Sequence, residues 1–197
     1  LKWDFFHGPR GRGKPISDLQ NACVRKYPDA LYFKLDEDTL VSADWDLRMA
    51  EAYAAHRDDP RLALITAVVT NNQRGAYHLL TSFPELGEEF TRRFGASVVS
   101  DRMGPVWHRP DCASFVIRRF LNLAGANAEL RARNPEPFQT FSFPFSINCI
   151  AYDYRHWQEI GGVPEQDENG WGEWIPRHDK FIVLATQSLV HHYAFFV

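Results

Sequence analysis

The residues best suited to chemistry in this chain are carboxylates placed where an apolar run stops. Leu31 to Leu35 is rich in strand formers and is followed at once by Asp36-Glu37-Asp38. In an extended chain Asp36 and Asp38 point to one side and Glu37 to the other. Two same-side carboxylates one residue apart suit a hard divalent cation, Mg²⁺ or Mn²⁺. Such a cation takes one or two carboxylates, several waters and the phosphates of a substrate. The plainer reading of the same residues is an acidic turn that ends a strand. A second set of donors, His191-His192, follows the apolar run Ser188 to Val190. Neutral imidazole can complete a site begun by carboxylates, and strand alternation lets only one of the two face it. The alternative is a solvent-facing pair.

Two glycine-containing stretches invite a ligand's close approach. Gly8-x-x-x-x-Gly13-Lys14 matches a phosphate-binding P-loop except that Pro15 replaces the final Ser or Thr, removing both the Mg²⁺-binding hydroxyl and a backbone N–H. A basic loop near a diphosphate, using Gly11, Gly13 and Lys14, and a solvated turn both remain open. Gly161-Gly162 is followed by Glu165, Asp167, Glu168 and Glu173. Tandem glycines let backbone approach a ligand, and a nearby carboxylate can act as a general base. A helix C-cap with an exposed loop fits equally well.

The elements that must position these groups follow from periodicity. Leu1 to His7 reads as a strand, and Ser17-Asp18 opens a helix running to about Tyr27. After the acidic triplet, Ser42 to His56 reads as a helix. Leu62 to Thr70 is a continuous apolar run of the kind buried on both sheet faces, and Asn71 to Gly75 is a loop. From Tyr77 to Pro137 helical pieces (85–94 and 112–130) are broken by Gly and Pro, so 75–140 reads as an insertion or lid. Phe143 to Asp153 is a strand running into a helical turn over 154–160. Trp171 to Arg177 follows, then strand-like runs at 181–185 and 188–192. The alternation predicts an α/β fold with the carboxylates on one rim of its sheet.

Composition bounds the function. At 197 residues the chain can bury the core of one α/β domain. Its formal net charge of −3 offers no broad basic field, which argues against a nucleic-acid partner. No apolar run approaches the roughly 20 residues of a membrane span. Three scattered cysteines suggest no disulfide framework, consistent with a cytoplasmic protein, free or peripheral at a membrane.

In their order and strand contexts, these pieces resemble family-2-like glycosyltransferases of the GT-A fold. The resemblance is carried by the Gly-rich loop and helix (11–22), the strand ending in Asp36-Glu37-Asp38, the segment Ser146 to Gly162, and His191-His192. It implies a Rossmann-like, GT-A-like mixed sheet flanked by helices, a nucleotide-sugar donor, Mn²⁺ or Mg²⁺ on its diphosphate, and inverting transfer to a saccharide, lipid-linked or protein acceptor. Carried over by position, Asp36 and Asp38 match the metal motif and His191 or His192 the third ligand. Gly11, Gly13, Lys14, Asp36, Gly161 and Gly162 fall at the donor. Asp167 is the nearest match to the base, then Glu168 and Glu173. The resemblance also implies a first strand–helix–strand unit that would precede Leu1. Competing expectations are a non-catalytic carbohydrate- or partner-binding module on such a scaffold, and a P-loop-like NTPase.

Overall fold

A computed structural model describes residues 4–11, 13–95, 104–142, 144–166 and 168–193. Its centre is a six-stranded mixed sheet. The order is β1 (Leu31–Leu35), β5 (Cys149–Asp153), β3 (Leu62–Val69), β6 (Phe181–His192) and β2 (Thr39–Val41), with β4 (Phe138–Phe141) also paired to β6. β5 is antiparallel to both β1 and β3, and β3 pairs with β6 in parallel. The carboxyl ends of β1, β3 and β6 therefore meet on one rim, and the residues entering β5 meet them there. β2 and β4 run antiparallel to β6.

All eight residues of β3 are buried, as its unbroken apolar run requires of a strand covered on both faces. Alternation then sorts its side chains. Ile65, Ala67 and Val69 face α2 (Trp45–His56), where Met49 and Ala52 have no exposed surface. Leu64 and Val68 face the opposite layer. There α1 (Lys14–Lys26), α8 (Tyr154–Ile160) and α9 (Glu168–Arg177) supply Val24, Trp157, and the pair Trp171 and Ile175, respectively. Beside them lie α3 (Gln73–Ser82), α4 (Pro84–Phe94), α5 (Pro105–His108), α6 (Pro110–Arg119) and α7 (Leu123–Arg133). Leu79, Phe90, Phe115, Val116 and Leu130 of this group close over Val68, Leu184 and Leu189. Each such large apolar side chain contributes about 1.5–3 kcal/mol on burial.

The stretch after Tyr77 reads poorly in sequence because its prolines resemble breakers. Pro84, Pro105 and Pro110 instead stand in first helical turns, where a missing N–H costs nothing. Pro15 does the same in α1, so that helix begins at Lys14 and not at Ser17, whose hydroxyl instead donates to Pro164 O at 2.8 Å. Residues 4–7 form no strand, and 1–3 lie outside the described residues. The expected loop over 71–75 is a helix start: the Asn72 side chain accepts from Arg74 N–H and caps α3. The strand expected over 143–153 is β5 alone, and Phe138–Phe141 forms a strand that periodicity does not pick out. The two runs at 181–185 and 188–192 are one strand, with a register shift where β3 pairs past Ala185.

Candidate metal-binding rim

Asp36 and Asp38 reach the same place by a turn and not by strand alternation. β1 stops at Leu35. The Asp36 N–H then donates to Asn148 O, and the Asp36 carbonyl accepts from Thr39 N–H, both at 3.1 Å. The chain folds back through Glu37-Asp38 into β2, whose Thr39 lies opposite His192 of β6. Tyr193 N–H donates to Asp38 O at 3.1 Å and pins the turn to the end of β6. Asp36, Asp38 and His192 consequently each offer a ligand atom within 4.8 Å of the others. The group stands outside the carboxyl ends of parallel strands, the place where open α/β sheets bind ligands.

His192 Nε2 lies 3.3 Å from Asp38 Oδ1 and 3.1 Å from Asn148 Nδ2, and its Nδ1 lies 3.1 Å from Asn71 Nδ2. Asn148 Nδ2 also donates to Asp36 Oδ2 at 2.5 Å. Lys34 Nζ sits 2.5 Å from Asp36 Oδ1 and donates to Ile147 O at 2.8 Å. His192 is 6% exposed, whereas the Asp38 side chain is 40% exposed, so the cluster opens to solvent on the Asp38 side. Burial lowers the His192 pKa, against the pull of Asp38 and Asp36, which favours neutral imidazole. Two carboxylates and one imidazole nitrogen are a donor set for Mn²⁺ or a similar cation, with Mg²⁺ better served by the carboxylates alone.

The other residues singled out in the sequence fall elsewhere. His191 turns to the opposite face. Its Nδ1 lies 3.2 Å from Thr70 Oγ1 and its Nε2 2.6 Å from Phe120 O, so both nitrogens are engaged in the core. Gly11 and Gly13 adopt positive φ to lead the chain into α1, and Lys14 pairs with Glu165 at 3.1 Å and Asp18 at 3.5 Å. Gly161 and Gly162, at φ +83° and +109°, end α8 by donating to Gln158 O and Trp157 O. A Cβ on Gly162 would meet Asn21 Oδ1 at 3.0 Å, so this close approach is to α1 and not to a ligand. Glu168 opens α9, and Glu173 pairs with Arg177 at 3.2 Å. Glu173 borders a groove of about 650 Å³ whose lining residues include none from the acidic turn. Asp167 lies outside the described residues.

Lys34, Asn71 and Asn148 escaped the sequence reading. Lys34 had a signal, since i and i+2 share a side in β1 and Asp36 follows it by two. Asn71 and Asn148 are single amides joined to the site only by tertiary pairing across β3, β5 and β6. Compared with protein-family models, curated proteins and solved structures, the chain has no match.

Proposed function

We propose that the chain is a metal-dependent glycosyltransferase of the GT-A type that moves a sugar from a nucleotide-diphosphate donor to an acceptor hydroxyl. The observation that carries this reading is the convergence of Asp36, Asp38 and His192 within 4.8 Å on the rim where β1, β3 and β6 end. Asp38 and His192 would hold Mn²⁺, and Asp38 would hold Mg²⁺, with Asp36, already paired with Lys34, helping directly or through water. When bound, the ion neutralises charge on the departing diphosphate. A groove of about 430 Å³ between α1 and β1 includes Asp36 and Glu37 in its lining, along with Ile16, Val24, Tyr32 and Phe33. Its size and apolar wall suit a nucleoside held next to the acidic turn. The general base is assigned, as the resemblance implies, to the stretch at the start of α9, Asp167 first and then Glu168 or Glu173.

The test is thermal stability with nucleoside diphosphates and nucleotide sugars, with and without Mn²⁺, in the wild type and in Asp38→Asn. A ligand at a hundred times its Kd stabilises the native state by about 2.7 kcal/mol. The expected result is stabilisation by one nucleotide family that needs Mn²⁺ in the wild type and is lost in Asp38→Asn. Nucleotide stabilisation indifferent to Mn²⁺ would sink the proposal. A second reading, a non-catalytic binding module on the same scaffold, is favoured by Lys34, which already neutralises Asp36. It predicts saccharide binding without any response to nucleotides.

A further inference from the structure

The hydrogen bonds around His192 determine which of its nitrogens carries the proton. An ionised carboxylate only accepts, so the Asn148 amide group 2.5 Å from Asp36 Oδ2 is its NH₂. The Ser146 hydroxyl, able to donate to Asn148 Oδ1, is compatible with the same orientation from the other end. An amide nitrogen has two hydrogens. One serves Asp36, and the other reaches His192 Nε2 at 3.1 Å. Nε2 therefore accepts. A neutral imidazole has one donor and one acceptor, so the proton sits on Nδ1. That nitrogen faces only the Asn71 amide, 3.1 Å away.

An Nδ1–H needs an acceptor, and Asn71 can supply one by presenting its oxygen. With its nitrogen placed toward the ring, Asn71 Oδ1 is buried and has no hydrogen-bond partner, and the residue is 1% exposed. The two ends of an amide have the same shape, and only the surrounding network tells them apart. Exchanging them pairs the orphaned oxygen with His192 Nδ1–H. The orphaned oxygen and the chain of donors starting at Asp36 are separate observations, and both demand the same arrangement.

We infer that Asn71 is a positioning residue whose side-chain oxygen holds His192 in the Nδ1–H form, so that Nε2 carries a lone pair that the Asn148 N–H occupies and that a cation beside Asp38 Oδ1, 3.3 Å away, would take over. Two acceptors then face each other across the opening of the cluster, an arrangement that a cation completes. The purpose of this arrangement rests on the metal-dependent reading, whereas the proton placement does not. Outer-shell partners of this kind fix the tautomer of a metal-binding imidazole, and their loss weakens metal affinity about 10- to 100-fold.

The deciding measurement is nitrogen-15 NMR of the His192 ring in metal-free protein above pH 7. The expected spectrum has a protonated Nδ1 and an unprotonated Nε2, and a protonated Nε2 in the wild type would overturn the inference. Asn71→Asp keeps an acceptor and should retain the Nδ1–H form, with Mn²⁺ bound at least as tightly as in the wild type because a carboxylate now backs the imidazole. Asn71→Leu removes it and should populate the Nε2–H form, with Mn²⁺ binding weakened about 10- to 100-fold. Should Asn71→Leu fail to fold, the wild-type and Asn71→Asp spectra still decide. An Nδ1–H wild type that binds no Mn²⁺ upholds this proton placement and removes the metal-dependent reading alone.

Discussion

Lys34 sets the terms on which the acidic turn can hold a second cation. Its ammonium lies 2.5 Å from Asp36 Oδ1, and its side chain is only 13% exposed, so the pair is weakly screened. A divalent ion beside Asp36 would feel that positive charge. Lys34→Gln should therefore tighten Mn²⁺ by roughly tenfold or more, as two charges a few ångströms apart at a partly buried site imply. Isothermal titration of the two proteins measures this, and equal or weaker binding by the variant would place the ion away from Asp36. At this scale the sequence was half legible. The carboxylates and one histidine could be named, because Asp-x-Asp and His-His are visible as types and spacing. Which histidine served could not, because the choice depends on Thr70 and Phe120, which take both nitrogens of His191.

Individual elements carry their own consequences. His156 of α8 is 1% exposed, neither ring nitrogen has a hydrogen-bond partner, and its ring lies against Trp171 and Trp174. Burial lowers its pKa to about 3, with Lys180 and Arg155 also lowering it and Asp153 opposing. Above about pH 6.5 the residue is neutral both folded and unfolded, so it makes stability no function of pH. As pH falls below that value the unfolded chain binds a proton that the native protein refuses, and the native state loses about 1.4 kcal/mol per pH unit. The loss levels off only near the folded value of about 3. His156→Phe should flatten this slope. Urea titrations between pH 4 and 7 should show the variant gaining on the wild type by about that amount per unit as the pH falls. A constant difference would mean that His156 is protonated in the native protein.

Gly75 shows a different dependence. A Cβ there would lie 2.1 Å from Val69 O, so glycine alone lets α3 rest on β3. Gly75→Ala should cost about 1–3 kcal/mol or more through overpacking. It should also disturb Asn71, which lies between the two elements. Chemical denaturation checks the first effect and the His192 ring spectrum the second. The elements themselves were legible where periodicity was strong, as in β3 and α2. They were misread where a residue has two meanings. Proline looked like a breaker and serves as a helix start, and Asn72 looked like loop and is a cap. Gly161-Gly162 fitted a ligand cradle and a helix C-cap equally well in sequence, and it ends a helix against Asn21.

Across the whole molecule, β6 is the strand on which the sheet depends, since it pairs with β3 along one edge and with β4 and β2 along the other. Its residues from Ile182 to Ala185 and from Ser188 to His192 are buried. Amides paired between β3 and β6 should exchange with solvent only when the molecule unfolds globally. Those of β2, held at one edge by three residues, should exchange by local opening. Hydrogen–deuterium exchange resolved by segment tests this, and equal protection of β2 and β6 would contradict it. Strand–helix alternation indicated an α/β fold, and the mixed character of the sheet came only with the resemblance. The strand order did not emerge from it, because order is decided by contacts between distant segments.

Those distant contacts also govern how the molecule comes into being. β1 pairs with β5 across more than a hundred positions, and β3 pairs with β6 across a similar interval. Such high contact order means that much loop entropy is surrendered before any pairing repays it, which slows folding relative to helical proteins. Asp36 and Asp38 stand beside β1 and His192 lies at the end of β6, so none of the partial structures that precede closure of the sheet contains all three. A ligand that needs all three can therefore capture only chains that have finished folding. It would slow their unfolding while leaving the rate of folding unchanged, so a chevron plot in the presence of Mn²⁺ should shift on its unfolding limb alone.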